Sequence, residues 1–268
     1  MNKFAVALKS AEIAFALSLT FSPACCVALA QDSSNPPGEK PSEEDSKIAY
    51  GAESDFTSGS VWRGLVISDR PVVSNAGWIS KYGFIFIAAN TLALSNMTEG
   101  TRPRVTDLIL TYEQDWGKLK IEPTFDTYWY RDPLNIATSR SMEGSIKLSY
   151  PAGPIRLFTS HSFDVLTHKG AYFGEAGIEL ARRLSEKNEL GISLDTGWAS
   201  STFNRAYVGV NKASFSLVGL ECSWTHYLKT HFYLRPHFEF SSIADRQVRA
   251  SISHPNFFTF GLALGVEF

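Results

Sequence analysis

The sequence predicts an all-β fold, namely a transmembrane antiparallel up-and-down β-barrel of about 12 strands preceded by a signal peptide. Three observations predict it. Of the 268 residues, 13% are aromatic and only 19% are charged, whereas roughly 25% are charged in a typical soluble domain. Apolar and polar residues alternate with a period of two along most of the chain, as they do in half-buried strands. Short and long connections between the predicted strands also alternate, which is typical of barrels in bacterial outer membranes.

The composition excludes several other classes of protein. Disordered chains have few aromatic residues and a large net charge, but the net charge here is −2. Proteins that bind nucleic acids present a basic face, and this chain has 27 acidic against 25 basic residues. Three cysteines cannot form a disulfide framework. Cys222 alternates with apolar neighbours, so we interpret it as a small apolar filler.

The N-terminal region has the features of a secretory signal peptide. A positively charged start is followed by an apolar stretch over 13–21 and by the triplet Ala28-Leu29-Ala30, which matches a cleavage site. The apolar stretch is shorter than the about 20 residues that a transmembrane helix needs. We therefore expect residues 1–30 to be cleaved during export and the mature protein to reach the bacterial outer membrane. Residues 31–47 then form a flexible periplasmic leader without an apolar anchor, and residues 48–268 form the barrel.

The alternation also predicts which face of each strand meets lipid. The last strand is the clearest case, because large apolar residues occupy one of its faces: Phe258, Phe260, Leu262, Leu264, Val266 and Phe268. In other strands the opposite face carries charges such as Lys120 and Arg235. A Lys or Arg facing the middle of a bilayer costs about 2–4 kcal/mol, a large part of a net stability of about 5–15 kcal/mol. We expect the apolar rows to face lipid and the charged rows to face the lumen.

The predicted connections alternate between tight turns and longer loops. The turns fall at 82–83, 116–118, 150–154, 185–188 and 228–230, and the loops at about 58–71, 95–103, 131–140, 165–170, 199–213 and 242–255. Residues 204–211 form either an extra hairpin or part of an outer loop. We choose the loop, because it keeps the number of strands even. Aromatic girdle residues are expected near the strand ends: Tyr50, Tyr82, Trp116, Trp129, Trp198 and Trp224.

The inward face predicts the functional chemistry. The candidate lumen-lining residues are Glu122, Asp126, Glu175, Glu179, Asp195, Arg235 and Glu239. If the interior is wet, an excess of carboxylates favours cations; if the charges pair across strands, the interior is a closed network of salt bridges. Twelve strands enclose more space than the eight that side chains can fill. We therefore predict a narrow passive channel for small solutes or ions. The alternative is a non-conducting structural or adhesive barrel that acts through its outer loops.

Four stretches resemble the TorF-like porin family. They are residues 60–65 with 68–73, 164–172, 197–198 with 207–210, and 257–261, and the resemblance covers roughly residues 48–268. It implies an outer-membrane barrel with channel activity, embedded in lipid, and it supplies no catalytic residues. Arg63 begins the first long loop. It either points into the mouth of the barrel or forms a structural ion pair with a lumen carboxylate, and we favour the ion pair.

The sequence offers no catalytic, cofactor-binding or metal-binding residues. A lipid hydrolase needs a histidine that activates a serine, but His161 and Ser162 are neighbours on a strand and point to opposite faces. The histidines at 226, 231 and 237 lack the spacing of zinc ligands. We therefore predict that the protein is not an enzyme. The sequence leaves open the identity of the solute and the oligomeric state.

Overall fold

The computed structural model describes residues 48–94, 104–131 and 138–268. The predicted signal peptide, the leader and the loop at 95–103 lie outside the described residues, as does most of the loop at 131–140. No helix among the described residues has the length and hydropathy needed to cross a membrane.

The described chain consists almost entirely of strands. The strands are β1 (Ala49–Thr57), β2 (Ser60–Trp62), β3 (Leu65–Ser68), β4 (Val72–Lys81), β5 (Phe84–Ala93), β6 (Arg104–Tyr112), β7 (Gln114–Trp116), β8 (Leu119–Arg131), β9 (Thr138–Ala152), β10 (Ile155–Asp164), β11 (Tyr172–Ser185), β12 (Asn188–Ala199), β13 (Ser214–Tyr227), β14 (Phe232–Ile243) and β15 (Asn256–Glu267). Two short helices lie in long connections, α1 (Ser201–Tyr207) and α2 (Arg246–Ser251).

The large sheet closes on itself. Each wall strand pairs antiparallel with its neighbours, and β1 pairs with β4 on one side and with the last strand, β15, on the other. Strands β6 and β7 follow each other along one position of the wall, since both pair with β8. The wall therefore has 12 positions, which confirms the predicted 12-stranded antiparallel barrel. Closure leaves no unpaired sheet edge.

The apolar rows face outwards. On β15, Phe260 is 61% exposed, whereas the inward neighbours Thr259 and Ala263 are 3% and 0% exposed. On β8, Phe125 is exposed and Asp126 is buried. These exposures confirm the orientation that the alternation predicts, with the charged rows inside.

Tight turns lie at one end of the barrel and long connections at the other. The turns occupy 82–83, 117–118, 153–154, 186–187 and 228–231, and the described long connections occupy 58–71, 165–171, 200–213 and 244–255. Helix α1 and the irregular segment after it fill residues 204–211, so the outer loop predicted there is confirmed and an extra hairpin is absent from that segment. The hydroxyl of Ser200 caps α1 by accepting a hydrogen bond from the backbone N–H of Phe203.

Strands β2 and β3 form a separate hairpin within the first long connection. Trp62, at the tip of this hairpin, packs in a buried cluster with residues of the inner barrel wall and of α1: Val105, Tyr128, Phe173, Leu217, Phe203 and Tyr207. The hairpin therefore folds into the mouth of the barrel, at the end where the long connections lie.

Candidate functional site: the lumen

A cavity lies inside the barrel beneath the hairpin. Strands from β5 to β14 contribute to its wall, and Arg63 and Gly64 of the hairpin lie at one end. The volume accessible to the centres of water molecules is about 210 Å³, whereas one water needs about 10–15 Å³ by the same kind of measure. The cavity therefore has room for a solvated ion or a small solute.

Most of the candidate lumen-lining residues lie on this wall: Glu122, Asp126, Glu175, Glu179, Asp195 and Glu239. Arg235 points inwards but lies apart from the cavity wall, where its Nη2 is 2.6 Å from Oε1 of Glu53. The hydroxyl of Tyr233 donates to the other oxygen of Glu53 at 2.7 Å. The alternation along the strand predicted that Arg235 faces the lumen. Its pairing with Glu53 depends on closure of the barrel, because β1 comes close to β14 only when it pairs with β15.

The wall also contains polar residues beyond the candidate set. Glu143, Lys147 and Glu221 face the cavity and share the inward parity of their strands. Ser193 and Ser241 also face the cavity. The sequence alone does not distinguish a serine that lines a cavity from any other small inward-facing residue. The cavity wall therefore carries eight carboxylates and two cationic side chains, Arg63 and Lys147.

The cationic side chains of the lumen form ion pairs with nearby carboxylates. The Nζ of Lys147 lies 2.7 Å from Oε1 of Glu179. Lys120 lies 2.9 Å from Glu113 and 3.6 Å from Glu122. The Lys147–Glu179 pair spans β10, and Lys120 and Glu122 lie two residues apart on β8. These pairs neutralise part of the lumen. The remaining carboxylates on the cavity wall exceed the cations available to them.

The turn of the β2–β3 hairpin places Arg63 over the cavity. Arg63 and Gly64 have φ values of 51° and 78°, as the two central residues of a type I′ hairpin turn require. The left-handed conformation costs a non-glycine residue roughly 1–2 kcal/mol. The guanidinium offsets this cost through a two-pronged ion pair with Glu143, with distances of 3.0 and 2.6 Å.

Arg63 is held in a buried position. Its guanidinium carbon lies 4.6 Å from the ring centre of Trp62 and 5.0 Å from that of Phe173. Burial lowers the pKa of Arg63, but the carboxylate of Glu143 opposes this effect and the net pKa lies above its usual value. Arg63 therefore remains charged and fastens the hairpin to the wall of the barrel.

The connection at 165–171 is fixed beside the hairpin by one carboxylate. Oδ1 of Asp164 accepts hydrogen bonds from the backbone N–H groups of Leu166 and His168, both at 2.9 Å. Oδ2 accepts from the hydroxyl of Ser141 at 2.5 Å. The ring of His168 then packs edge-on against Tyr207 of α1, with centroids 4.9 Å apart. Two connections and the hairpin thus meet at the mouth.

The histidine and serine considered for hydrolase chemistry point in opposite directions. Ser162 is buried on the inner wall, whereas His161 lies on the outer face, where its Nδ1 is 2.9 Å from the hydroxyl of Tyr172. The two side chains are not hydrogen-bonded to each other. No group of three or more His, Cys, Asp or Glu side chains among the described residues is arranged to hold a metal ion.

No family model and no curated protein matches the chain. Among solved structures, the chain is similar to the NanC porin, with a TM-score of 0.49 and 10% identity over 82% of this chain and 98% of that chain. It is also similar to the KdgM porin, with a TM-score of 0.47 and 10% identity over 82% and 99% of the two chains. A COG4313 outer membrane channel from Pseudomonas putida F1 gives a TM-score of 0.46 and 11% identity over 86% and 100%.

Proposed function

We propose that the protein is a narrow passive channel of the bacterial outer membrane that prefers cations. The observation that carries the proposal is the closed barrel, whose outer face is apolar and whose inner cavity is lined by eight carboxylates and two cationic side chains. Water-soluble proteins have the opposite arrangement, with apolar residues inside and charges outside.

The outer surface supports the membrane location. Large apolar side chains are exposed on strands around the barrel, among them Phe125, Leu194, Phe232 and Leu264. Soluble proteins rarely expose apolar surface on this scale. Aromatic side chains are exposed at the end with the tight turns: Tyr50, Tyr82, Trp116 and Trp224. Such rings suit the boundary between hydrocarbon and headgroups. The signal peptide expected at 1–30 and the resemblance to TorF-like porins agree with this location.

The charges of the cavity support the preference for cations. Both cationic side chains on its wall are engaged, Arg63 by Glu143 and Lys147 by Glu179. The other carboxylates keep the local potential negative, and a ring of acidic side chains in a narrow passage attracts cations and repels anions. A low-dielectric wall strengthens this field.

A second candidate function follows from the mouth of the barrel. Trp62, Phe203 and Tyr207 are buried there within one cluster. If this cluster never opens, the protein is a non-conducting barrel that acts through its outer loops. The two candidates differ in conductance, so one experiment separates them.

The experiment is planar-bilayer recording of the refolded protein. We expect discrete current steps, because the strands form a complete ring around a cavity with a polar lining. Protein-free detergent at the same dilution is the control. An absence of steps above the lipid background would refute the channel and favour the non-conducting barrel.

Charge-neutralising variants test the preference for cations. Replacing Glu122 and Asp126 together with glutamine should move the reversal potential in a KCl gradient towards zero, because two carboxylates leave the cavity wall. Asp115→Asn removes a carboxylate on the exposed strand β7 and should leave the reversal potential unchanged. An unchanged potential in the double variant would exclude a role for Glu122 and Asp126 in selectivity.

A further inference from the structure

Four carboxylates follow one another across four neighbouring strands on one wall of the cavity. Glu221 on β13 lies directly opposite Glu239 on β14. Asp195 on β12 lies opposite Gly219, two residues from Glu221, and opposite Gly177, two residues from Glu175 on β11. Opposite residues have Cβ atoms about 4.5–5.5 Å apart, and diagonal neighbours about 7–8 Å apart. We call Glu175, Asp195, Glu221 and Glu239 the carboxylate row.

The carboxylate row has no ion-pair partner among the described residues. The cationic side chains of the lumen that could approach it bind elsewhere: Arg63 to Glu143 at 2.6 Å, Lys147 to Glu179 at 2.7 Å and Arg235 to Glu53 at 2.6 Å. Like charges directly opposite each other destabilise a sheet. The fold thus concentrates four carboxylates on one wall, while the nearby cations form their direct ion pairs with other carboxylates.

Unsatisfied polar atoms face the same cavity. Ser241 lies two residues from Glu239 on β14 and shares its inward face; it is only 3% exposed, and its hydroxyl has no hydrogen-bond partner. Asp126, also on the cavity wall, is 7% exposed, and its Oδ1 likewise has no hydrogen-bond partner. Most buried polar groups are hydrogen-bonded, and one left unsatisfied costs about 1–3 kcal/mol. Both oxygens can accept hydrogen bonds from a ligand that carries several donors.

Two glycines beside the row make room for side chains of the neighbouring strands. A Cβ at Gly219 would lie 2.5 Å from Oδ1 of Asp195, and a Cβ at Gly177 would lie 2.8 Å from the ring of Phe158. Any larger residue at Gly219 would therefore displace the carboxylate of Asp195. The carboxylate of Asp195 and the ring of Phe158 thus fill the space above the two glycines, and Gly219 fixes the position of the Asp195 carboxylate within the row.

We propose that the carboxylate row binds a linear polyamine, with ammonium groups paired to successive carboxylates and methylene groups spanning the gaps between them. This proposal rests on the proposed channel and names the class of solute that it admits. Ammonium groups spaced along a chain match carboxylates spread across four strands, whereas a single metal ion requires ligands that converge on one point. The described residues hold no such convergent group of three or more.

Isothermal titration calorimetry of the refolded protein in detergent, with spermidine as the probe, tests the site without requiring conductance. We expect saturable binding that weakens as salt is added, because the contacts are electrostatic. Asp195→Asn combined with Glu221→Gln should weaken binding at least tenfold. Glu189→Gln removes a carboxylate from the same strand as Asp195 but outside the row, and it should bind as the wild type does. Circular dichroism and heat-dependent electrophoretic mobility verify that each variant is folded.

The outcomes separate the site from the channel. Absence of spermidine binding, or equal affinity in the folded double variant, would refute the polyamine site. If magnesium displaces spermidine at the same concentration of positive charge, the row attracts any cation, and this result would also refute the polyamine site. Current steps in planar bilayers without spermidine binding would refute the site and leave the channel intact. Binding without any current would support the site and refute the channel.

Discussion

Replacing Trp62 with alanine should release the β2–β3 hairpin from the mouth of the barrel. Trp62 is 1% exposed, and its ring centre lies 5.5 Å from that of Phe203 and 4.9 Å from that of Tyr207. Truncation of a buried Trp to Ala costs about 3–5 kcal/mol. About 1.4 kcal/mol is a factor of ten in an equilibrium constant. The equilibrium constant for docking of the hairpin should therefore fall by a factor of roughly one hundred to a few thousand.

The assay is the unitary conductance of the refolded variant in planar bilayers. We expect Trp62→Ala to show larger or longer current steps than the wild type, because the hairpin no longer narrows the passage. Val61→Ala is the matched control, since Val61 is the neighbouring residue of the same hairpin and lies outside the buried cluster. Equal conductance in the wild type and in Trp62→Ala would refute the assignment of the hairpin as the constriction.

Three further predictions concern the wall and the loops. Leu262→Arg places a charge on the lipid face, and it should lower the free energy of unfolding in lipid vesicles by about 2–4 kcal/mol in urea titrations; an unchanged midpoint would contradict the orientation. Gly265→Val places a Cβ within the ring of Tyr233, and it should destabilise the barrel by about 1–3 kcal/mol in the same titration. Asp245 accepts hydrogen bonds from Lys212 and from the backbone at the start of α2, and these contacts lower its pKa. Its contribution to stability is therefore complete above the unfolded pKa of about 3.9 and is lost as the pH falls through the lower folded pKa. The protection factors of the α2 amides, which correct for the intrinsic pH dependence of exchange, should fall only in that acidic range, and Asp245→Asn should abolish this fall.

The barrel was predictable because its physical constraints are local. Outward residues such as Phe260 and inward residues such as Thr259 alternate along each strand, and the cost of a charge in lipid decides which row is which. The alternation of short and long connections then fixes the number of strands. The loop at 204–211 was predicted correctly, but an even strand count does not require it, since an extra hairpin would add two strands and leave the count even.

The contents of the lumen depend on contacts between residues that are distant in sequence. Arg63 pairs with Glu143, 80 residues later, and Arg235 pairs with Glu53, 182 residues earlier. The alternation of inward and outward residues places Arg235 inside, but it contains no information about which carboxylate either arginine meets. The inward fold of the hairpin depends on burial of Trp62 against α1, which lies far from it in the sequence. Ser241 has no distinguishing pattern at all.

Photo-crosslinking tests the central claim that apolar rows face lipid around a polar interior. The amino acid p-benzoylphenylalanine is introduced at Phe260, which is exposed on the outer face of β15, or at Tyr233, which is buried on the inner face of β14. After irradiation in lipid vesicles, mass spectrometry should detect lipid adducts at position 260 and none at position 233. Lipid adducts at position 233 together with none at position 260 would contradict the account.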